Sequence, residues 1–222
     1  MAGSMNKYIA ELLGTFVLVG FGSMAILAGG GPGTPGGLLV IAIGFGLALM
    51  AGIYMFGGLS GAHFNPAVTV AMVLRKDTSS SDAIGYIIAQ VAGAVLASGL
   101  VAYASSTAAV QVTATVPGGG LDTVQVVILE AILTAVFVMV ILRTTSDGGS
   151  GAAVAIPMTL IAIHLAAVPL TGASVNPARS LGPAIIGGAY GDIWVYIVGP
   201  LLGGVVGYYV DKFVNESQTT KS

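Results

Sequence analysis

Charged side chains and cysteine are scarce in this sequence. Charged residues make up 7% of its 222 positions, whereas soluble domains carry about 25%. Cysteine is absent, which excludes disulfides, thiol catalysis and thiolate metal sites. With only two histidines and no nucleophile placed beside a base, no enzyme activity, bound metal or other cofactor is expected. The absence of a basic patch argues against a nucleic-acid partner.

Apolar residues dominate instead, at 55% of the chain. They fall in runs of roughly 20 residues, the length that a helix needs to cross about 30 Å of hydrocarbon. The sequence therefore predicts an all-α integral membrane protein, surrounded by a lipid bilayer. Its six transmembrane helices are expected near residues 8–27, 38–56, 83–104, 124–142, 152–170 and 193–210. Turn-forming residues predict loops at 29–37, 115–122 and 147–151.

Two further apolar stretches, residues 65–74 and 176–186, are only about half as long as a membrane crossing requires. Each begins with an Asn-Pro-Ala triplet: Asn65, Pro66 and Ala67, then Asn176, Pro177 and Ala178. Asparagine is a good N-cap, proline is favoured at the first helical position, and alanine is the best helix former. Both stretches are therefore predicted to be re-entrant half-helices.

The chain contains an internal repeat. Residues 61–68 and 172–179 are identical at five of eight positions and lie 111 positions apart. A weaker correspondence links two trios of residues: Glu11, Thr15 and Phe16 with Glu130, Thr134 and Phe137. Because each half holds three spans, an odd number, the second half must cross the membrane in the opposite sense. The prediction is a first repeat at 1–110 and an inverted second repeat at 111–222, which together form one pore domain.

Half-helices that enter from opposite faces would meet end to end at the membrane centre. Their N-termini carry partial positive charge, which repels a cation that has lost its hydration. Irregular backbone at that depth must be buried or line water, so the carbonyls of residues 63–64 and 174–175 are predicted to accept hydrogen bonds from a file of water molecules. The side-chain amides of Asn65 and Asn176 would orient a central water and interrupt proton hopping.

The cations predict how the chain is oriented. Six of the seven fall on one side of a six-span topology that starts inside: Lys7, Arg75, Lys76, Arg143, Lys212 and Lys221. Because cytoplasmic loops are enriched in Lys and Arg, both termini are predicted to be cytoplasmic. The exception is Arg179, which this topology places on the far side. The expected location is the cell (plasma) membrane.

Six spans, two Asn-Pro-Ala half-helices and the paired glutamates together resemble the aquaporins, or major intrinsic proteins, over nearly the whole chain. The resemblance implies a homotetramer with one pore in each subunit. It also implies a selectivity filter of four residues: Phe45, His164, Ala173 and Arg179. Water-selective members of the family carry phenylalanine, histidine, a small residue and arginine there, whereas glycerol facilitators usually have tryptophan and glycine at the first two positions.

This filter favours a passive water channel that excludes ions and protons, with water as the permeant. A facilitator of glycerol or another small neutral solute is the alternative. Ser180 and Ala184 also match water channels, since glycerol facilitators tend to have an acidic and a basic residue there. Ile197 departs from the pattern, because it stands where water channels have a tryptophan, next to Tyr196.

Glu11 and Glu130 have two interpretations. Membrane carboxylates act as proton relays in some transporters, but the symmetric placement of this pair favours hydrogen bonds to the backbone of the nearby Asn-Pro-Ala loops. The resemblance implies the same supporting role. His63 is predicted to line the inner pore or to pack beside it. Six glycines inside the spans are interpreted as points of close helix packing: Gly20, Gly22, Gly44, Gly46, Gly93 and Gly99.

Two classes other than passive channels stay open. A coupled secondary transporter shares inverted repeats and broken helices, but nothing in the sequence indicates an ion-coupling site, so this class is disfavoured. A junction protein with a closed pore is the other alternative. Membrane insertion without any permeability would favour it.

Overall fold

A computed structural model describes residues 2–146 and 151–219. Within these ranges the chain forms nine α-helices: α1 (Ala2–Gly29), α2 (Pro35–Ser60), α3 (Pro66–Arg75), α4 (Ser80–Ala104), α5 (Thr107–Val112), α6 (Thr123–Ser146), α7 (Ala152–Thr171), α8 (Pro177–Gly187) and α9 (Val195–Thr219). Most of the loop predicted at 147–151, and Lys221, lie outside the described residues.

Six of these helices, α1, α2, α4, α6, α7 and α9, are long and apolar enough to cross a membrane. The six predicted spans are therefore confirmed. Most of the helices extend a few residues beyond the apolar runs, because helical hydrogen bonding continues into the polar ends. The last span starts later than predicted, at Val195, because residues 191–194 form turns.

The two half-helices also lie where they were predicted. The Asn65 side chain accepts a hydrogen bond from the Ala67 backbone N–H at 2.9 Å, and Asn176 accepts one from Ala178 at 3.0 Å. Both asparagines have extended backbone and are followed by proline, as expected for an N-cap and first helical position. At the other ends, Lys76 and Gly188 adopt the left-handed conformation that stops a helix.

The short helix α5 was not predicted. Its six residues are capped by Ser106, whose side-chain oxygen accepts a hydrogen bond from the Ala109 N–H at 3.0 Å. The helix packs against α4 and α8. It leads the chain into residues 113–115, which reach the second half-helix. The proposed repeat boundary between residues 110 and 111 falls inside α5.

Each half-helix packs mainly against the other half of the chain. α3 contacts α9 more extensively than α4, and α8 contacts α4 more extensively than α9. The spans themselves pair as α1 with α2 and α4, and as α6 with α7 and α9, while α2 and α7 join the halves. The two half-helices are therefore held between the halves rather than by their own neighbours in sequence.

Glycine permits the closest helix contacts at equivalent places in the two halves. A Cβ atom on Gly93 of α4 would overlap the Leu12 carbonyl of α1, and one on Gly203 of α9 would overlap the Ala131 carbonyl of α6. The packing interpretation thus holds for Gly93. Gly99 has no such contact within the described chain, where a Cβ would meet no atom within 4 Å.

Gly93→Ala tests this contact. Because the added methyl must push two helix backbones apart, the variant should be destabilised by about 1–3 kcal/mol, the usual range for overpacking. Thermal unfolding of purified protein in detergent measures the change. The matched control is Gly99→Ala in the same helix, which should stay within about 0.5 kcal/mol of wild type. Equal stabilities for the two variants would contradict the packing described.

Candidate functional site

A cavity of about 460 Å³ runs between the two halves of the chain. Polar residues of both halves line it at intervals: His63, Asn65, Ser174, Asn176, His164 and Arg179. Much of the remaining wall is apolar, formed by residues such as Leu49, Ile53, Val68, Phe137, Ile141, Ile156 and Leu160. The cavity therefore offers separate polar groups within a largely apolar wall.

The two half-helices are hydrogen bonded to each other's approach loops at the centre of this cavity. The amide of Asn65 donates to the Val175 carbonyl at 2.7 Å, and the amide of Asn176 donates to the Phe64 carbonyl at 2.9 Å. Each asparagine therefore caps its own helix with its side-chain oxygen and crosses to the other loop with its nitrogen. The N-termini of α3 and α8 face each other.

The loop carbonyls that were predicted to accept hydrogen bonds from water also connect the two loops. Those of Phe64 and Val175 each accept one hydrogen bond from an asparagine side chain, which leaves the second lone pair of each oxygen for water. Each amide nitrogen carries two hydrogens, so one hydrogen on Asn65 and one on Asn176 remains for a molecule in the cavity.

Both approach loops contain residues other than glycine in the left-handed conformation. Positive φ angles occur at Ala62 (53°) and Phe64 (50°) in the first loop, and at Ala173 (44°) and Val175 (44°) in the second. Residues other than glycine rarely adopt this conformation, least of all a β-branched residue such as valine. Each such residue costs about 1–3 kcal/mol and persists only when its surroundings fix it.

Glu11 fixes the first loop from behind. Its carboxylate accepts hydrogen bonds from the backbone N–H groups of His63 and Phe64, at 2.9 and 2.7 Å. The Ser60 hydroxyl donates to the same carboxylate at 2.7 Å, and the side-chain amide of Gln90 donates to it at 2.7 Å. Glu11 is fully buried and does not line the cavity.

Glu130 holds the second loop by the same pattern. It accepts hydrogen bonds from the N–H groups of Ser174 and Val175, at 2.9 and 2.8 Å, and from the Thr171 hydroxyl at 2.7 Å. It too is fully buried and away from the cavity lining. Both carboxylates have the backbone partners that the supporting interpretation requires.

The hydrogen-bond network fixes the tautomer of His63. The Thr69 hydroxyl donates to the Asn65 carbonyl at 3.0 Å, so its oxygen accepts from His63 Nδ1 at 3.1 Å. A neutral imidazole with its proton on Nδ1 has an acceptor at Nε2. The ring packs edge-on against Tyr86, with centroids 5.0 Å apart, and also lines the cavity. His63 therefore both lines the cavity and packs against a neighbouring side chain, the two alternatives that the sequence left open.

Two of the predicted filter residues, His164 and Arg179, contact a third, Phe45. The rings of Phe45 and His164 have centroids 4.6 Å apart, and the Arg179 guanidinium lies 4.9 Å from the Phe45 ring centroid. All three line the cavity and are almost completely buried. The fourth, Ala173, is also buried, but it does not line the cavity; its N–H donates to the Thr171 hydroxyl at 3.1 Å.

Two nitrogens in this group have no partner among the described residues: His164 Nε2 and Arg179 Nε. His164 Nδ1 lies 2.9 Å from the Leu160 carbonyl. A carbonyl only accepts, so the proton is on Nδ1, and Nε2 of the neutral ring is an acceptor. Arg179 Nε is a donor. The two residues therefore carry one ring acceptor and several guanidinium donors, because only one of the five guanidinium hydrogens has a partner in the described part of the chain, the Thr113 carbonyl.

Residues 113–115 hold Arg179 in place, a role that was not predicted from the sequence. The Thr113 carbonyl accepts a hydrogen bond from Arg179 Nη1 at 3.0 Å. Two residues later, the Thr115 hydroxyl donates to Ser180 at 2.8 Å, and the hydroxyl oxygens of Ser180 and Ser174 are 2.6 Å apart. Nothing in the sequence distinguished these hydroxyl residues, because their contacts depend on where α5 places the chain.

The remaining residues noted from the sequence lie beside this group. Ser180 and Ala184 are buried in α8. In α9, Ile197 is half-buried and its neighbour Tyr196 is fully buried, with a hydroxyl that has no partner among the described residues. None of the four lines the cavity.

Comparison with known proteins defines the class. The family model described as "Major intrinsic protein" matches residues 1–210, and the chain therefore belongs to the major intrinsic protein family. It is a membrane channel rather than an enzyme. Its six spans and the shorter helices between them form the aquaporin-like fold.

The relatives carry names of two kinds. "Glycerol uptake facilitator protein-like 6" of Lactiplantibacillus plantarum is 43% identical, over 91% of this chain and 94% of its own. "Aquaporin Z" of Rhodopseudomonas palustris is 37% identical, over 96% and 95%. The aquaglyceroporin structure from Plasmodium falciparum is 27% identical with a TM-score of 0.85, covering 95% of this chain and 97% of that one. Channels for water and channels for glycerol are both represented.

Glu130→Gln tests the supporting role of the carboxylate. A glutamine has only one acceptor oxygen, so at least one of the two loop N–H groups would lose its partner, which costs about 1–3 kcal/mol. The variant should unfold at a lower temperature, and the channels that fold should show unchanged proton leakage in a vesicle assay with a pH-sensitive dye. Asp82→Asn is the control, since it breaks a surface ion pair worth about 0–1 kcal/mol.

The competing interpretation of Glu130 makes the opposite prediction. If the carboxylate relays protons, the glutamine variant should fold with wild-type stability and lose a proton-driven flux that wild type shows. That result would contradict the supporting role.

Proposed function

We propose that this channel passes water and excludes glycerol, ions and protons. The observation that carries the proposal is the contact of Phe45, His164 and Arg179 around the cavity, with a free acceptor on His164 and a free donor on Arg179. A water molecule is both donor and acceptor, so it matches the acceptor on His164 and the donors on Arg179.

The size of the filter side chains supports small permeants. Phe45 and His164 place two stacked rings at one level of the path, where the family's glycerol facilitators usually have tryptophan and glycine. A filter with glycine in place of the histidine is wider. It also lacks a polar group that a larger solute with several hydroxyls would have to pass. With both rings present, the filter favours the smallest neutral permeant.

Two features support exclusion of cations. Arg179 places a fixed positive charge at the filter, and it forms no ion pair with any carboxylate in the described part of the chain. The N-termini of α3 and α8 add partial positive charge at the centre, where the apolar wall offers little to replace a cation's hydration shell. A neutral molecule crosses both points without this electrostatic barrier.

The central asparagines support exclusion of protons. Asn65 and Asn176 each keep one amide hydrogen for the cavity after donating to the opposite loop. A water that accepts from both amides has its own hydrogens directed outward along the file. Hydrogen bonds then reverse direction at this water, and a proton cannot hop through it.

A glycerol or small-solute facilitator is the second candidate. The 43% identical relative named as a glycerol uptake facilitator and the similar aquaglyceroporin structure favour it. A coupled transporter is less well supported, because both buried glutamates are hydrogen bonded to the loops rather than exposed to the cavity. A closed junction protein would require that the cavity conduct nothing.

We further propose that both termini are cytoplasmic and that the chain lies in the cell membrane as a homotetramer. Contacts place the cations at one end of the bundle: Lys7 pairs with Asp82 at 2.7 Å, Arg75 donates to the Leu142 carbonyl at 2.8 Å, and Arg143 pairs with Asp211 at 2.7 Å. This enrichment supports a cytoplasmic location for that end. The tetramer rests on family membership alone, and the native mass in detergent tests it.

The double variant Phe45→Trp with His164→Gly tests the filter. Removing the histidine ring should raise glycerol permeability by about tenfold or more, the factor equivalent to about 1.4 kcal/mol of barrier. Swelling of proteoliposomes in glycerol measures it. Phe21→Trp is the matched control, because Phe21 is 61% exposed on the outer surface of α1. Unchanged glycerol permeability in the double variant would contradict the filter assignment.

Arg179→Val tests the charge barrier. A unit charge at short range contributes several kcal/mol at an effective dielectric of 20, so cation leakage should rise by about tenfold or more. Conductance across planar bilayers measures the leak. Arg143→Val removes one positive charge from the opposite end of the bundle and should leave the conductance at the wild-type level. A valine variant that remains tight to ions would refute the barrier.

A further inference from the structure

The Phe45 ring lies directly on the backbone of α1. A Cβ atom added to Gly22 would overlap three atoms along one edge of the ring, namely Cδ1, Cε1 and Cζ. The space for the ring thus exists only because residue 22 has no side chain. The whole edge is in contact, so rotating one flexible end of the side chain cannot relieve the overlap.

The other sides of the ring are also occupied. His164 stacks at a centroid distance of 4.6 Å, and the Arg179 guanidinium lies 4.9 Å from the centroid. Phe45 is 2% exposed and lines the cavity. The cavity that the ring borders is open space, which a displaced ring can enter. A ring displaced from Gly22 therefore moves into the path of the permeant.

The second half of the chain shows that Gly22 is not a general packing glycine. The alignment of the two halves that pairs Glu11 with Glu130 also pairs Gly22 with Ile141. The alignment that pairs Ser60 with Thr171 also pairs Phe45 with Ile156. The glycine and the ring of the first half thus correspond to two isoleucines in the second half. Both isoleucines line the cavity.

The packing glycines behave differently. Gly93 and Gly203 occupy equivalent positions and are glycine in both halves, where each allows two helix backbones to touch. Gly22 is glycine only in the half that carries the ring. Its small size is therefore matched to Phe45 rather than to the contact between helices.

We propose that Gly22 is a specificity-determining position, whose missing side chain sets the width of the filter by holding the Phe45 ring back from the cavity. The proposal rests on the proposed function, because it takes the Phe45 level to be the selective part of the path. Residue 22 acts through Phe45 and does not itself line the cavity.

Gly22→Ala tests the proposal in proteoliposomes that contain measured amounts of folded channel. The displaced ring narrows the path, so water permeability per channel should fall by roughly fivefold, the factor equivalent to the lower end of overpacking costs. The Arrhenius activation energy for water flux should rise. A merely structural defect would lower the number of folded channels and leave the activation energy unchanged.

Two further variants complete the experiment. Gly20→Ala in the same helix is the matched control, because its Cβ would make an ordinary contact with Ala97 at 3.7 Å and both values should stay at the wild-type level. Phe45→Ala removes all three ring atoms that Gly22 accommodates. In that background, adding Gly22→Ala should change neither permeability nor activation energy. If Gly22→Ala alone does not fold, recovery of folded, conducting channels in the double variant supports the proposal.

Three results would overturn the proposal: Gly22→Ala values equal to those of Gly20→Ala, the same loss of flux with and without Phe45→Ala, or a double variant that fails to fold. Failure of the proposed function would give different results in the same assay. Rapid glycerol entry through wild-type channels refutes water selectivity, and the effect of Gly22→Ala is then measured on glycerol flux in the same vesicles. Wild-type channels that pass neither solute refute both.

Discussion

Two buried carboxylates determine whether this pore can exist. Inside a membrane no solvent is available for the N–H groups of irregular backbone, and each unpaired group costs several kcal/mol. Glu11 and Glu130 accept those groups in the two approach loops, and in doing so they hold residues such as Phe64 and Val175 at positive φ. The loop carbonyls then reach the asparagines of the opposite half-helices. Both helix N-termini, and the residues that follow them, are placed by this arrangement.

The sequence predicts the parts that depend on length and local chemistry, and misses the parts that depend on long-range packing. Span length predicts six crossings, Asn-Pro-Ala predicts both half-helices, and the symmetry of Glu11 and Glu130 predicts their hydrogen bonds. Helix α5 is too short to be detected as an apolar run, and the contact of Thr113 with Arg179 follows from its placement. The closeness of Gly22 to Phe45 is likewise invisible without the helix pairing.

The choice between water and glycerol depends on few side chains. The fold is shared by relatives whose names indicate either permeant, so the fold alone does not choose between them. What distinguishes this chain is local: two rings in contact, an arginine beside one of them, a free acceptor on the histidine and free donors on the arginine. The rest of the molecule supplies a rigid frame in which a change of one ring or one methyl alters the path.

Stopped-flow light scattering on proteoliposomes containing the wild-type protein tests the central claim most directly. Vesicles shrink in an impermeant osmolyte at a rate set by water, and they re-swell in glycerol only if glycerol enters. The account predicts fast shrinkage with a low activation energy and no re-swelling above that of protein-free vesicles. Rapid re-swelling in glycerol would contradict water selectivity, and shrinkage no faster than that of empty vesicles would contradict an open water pore.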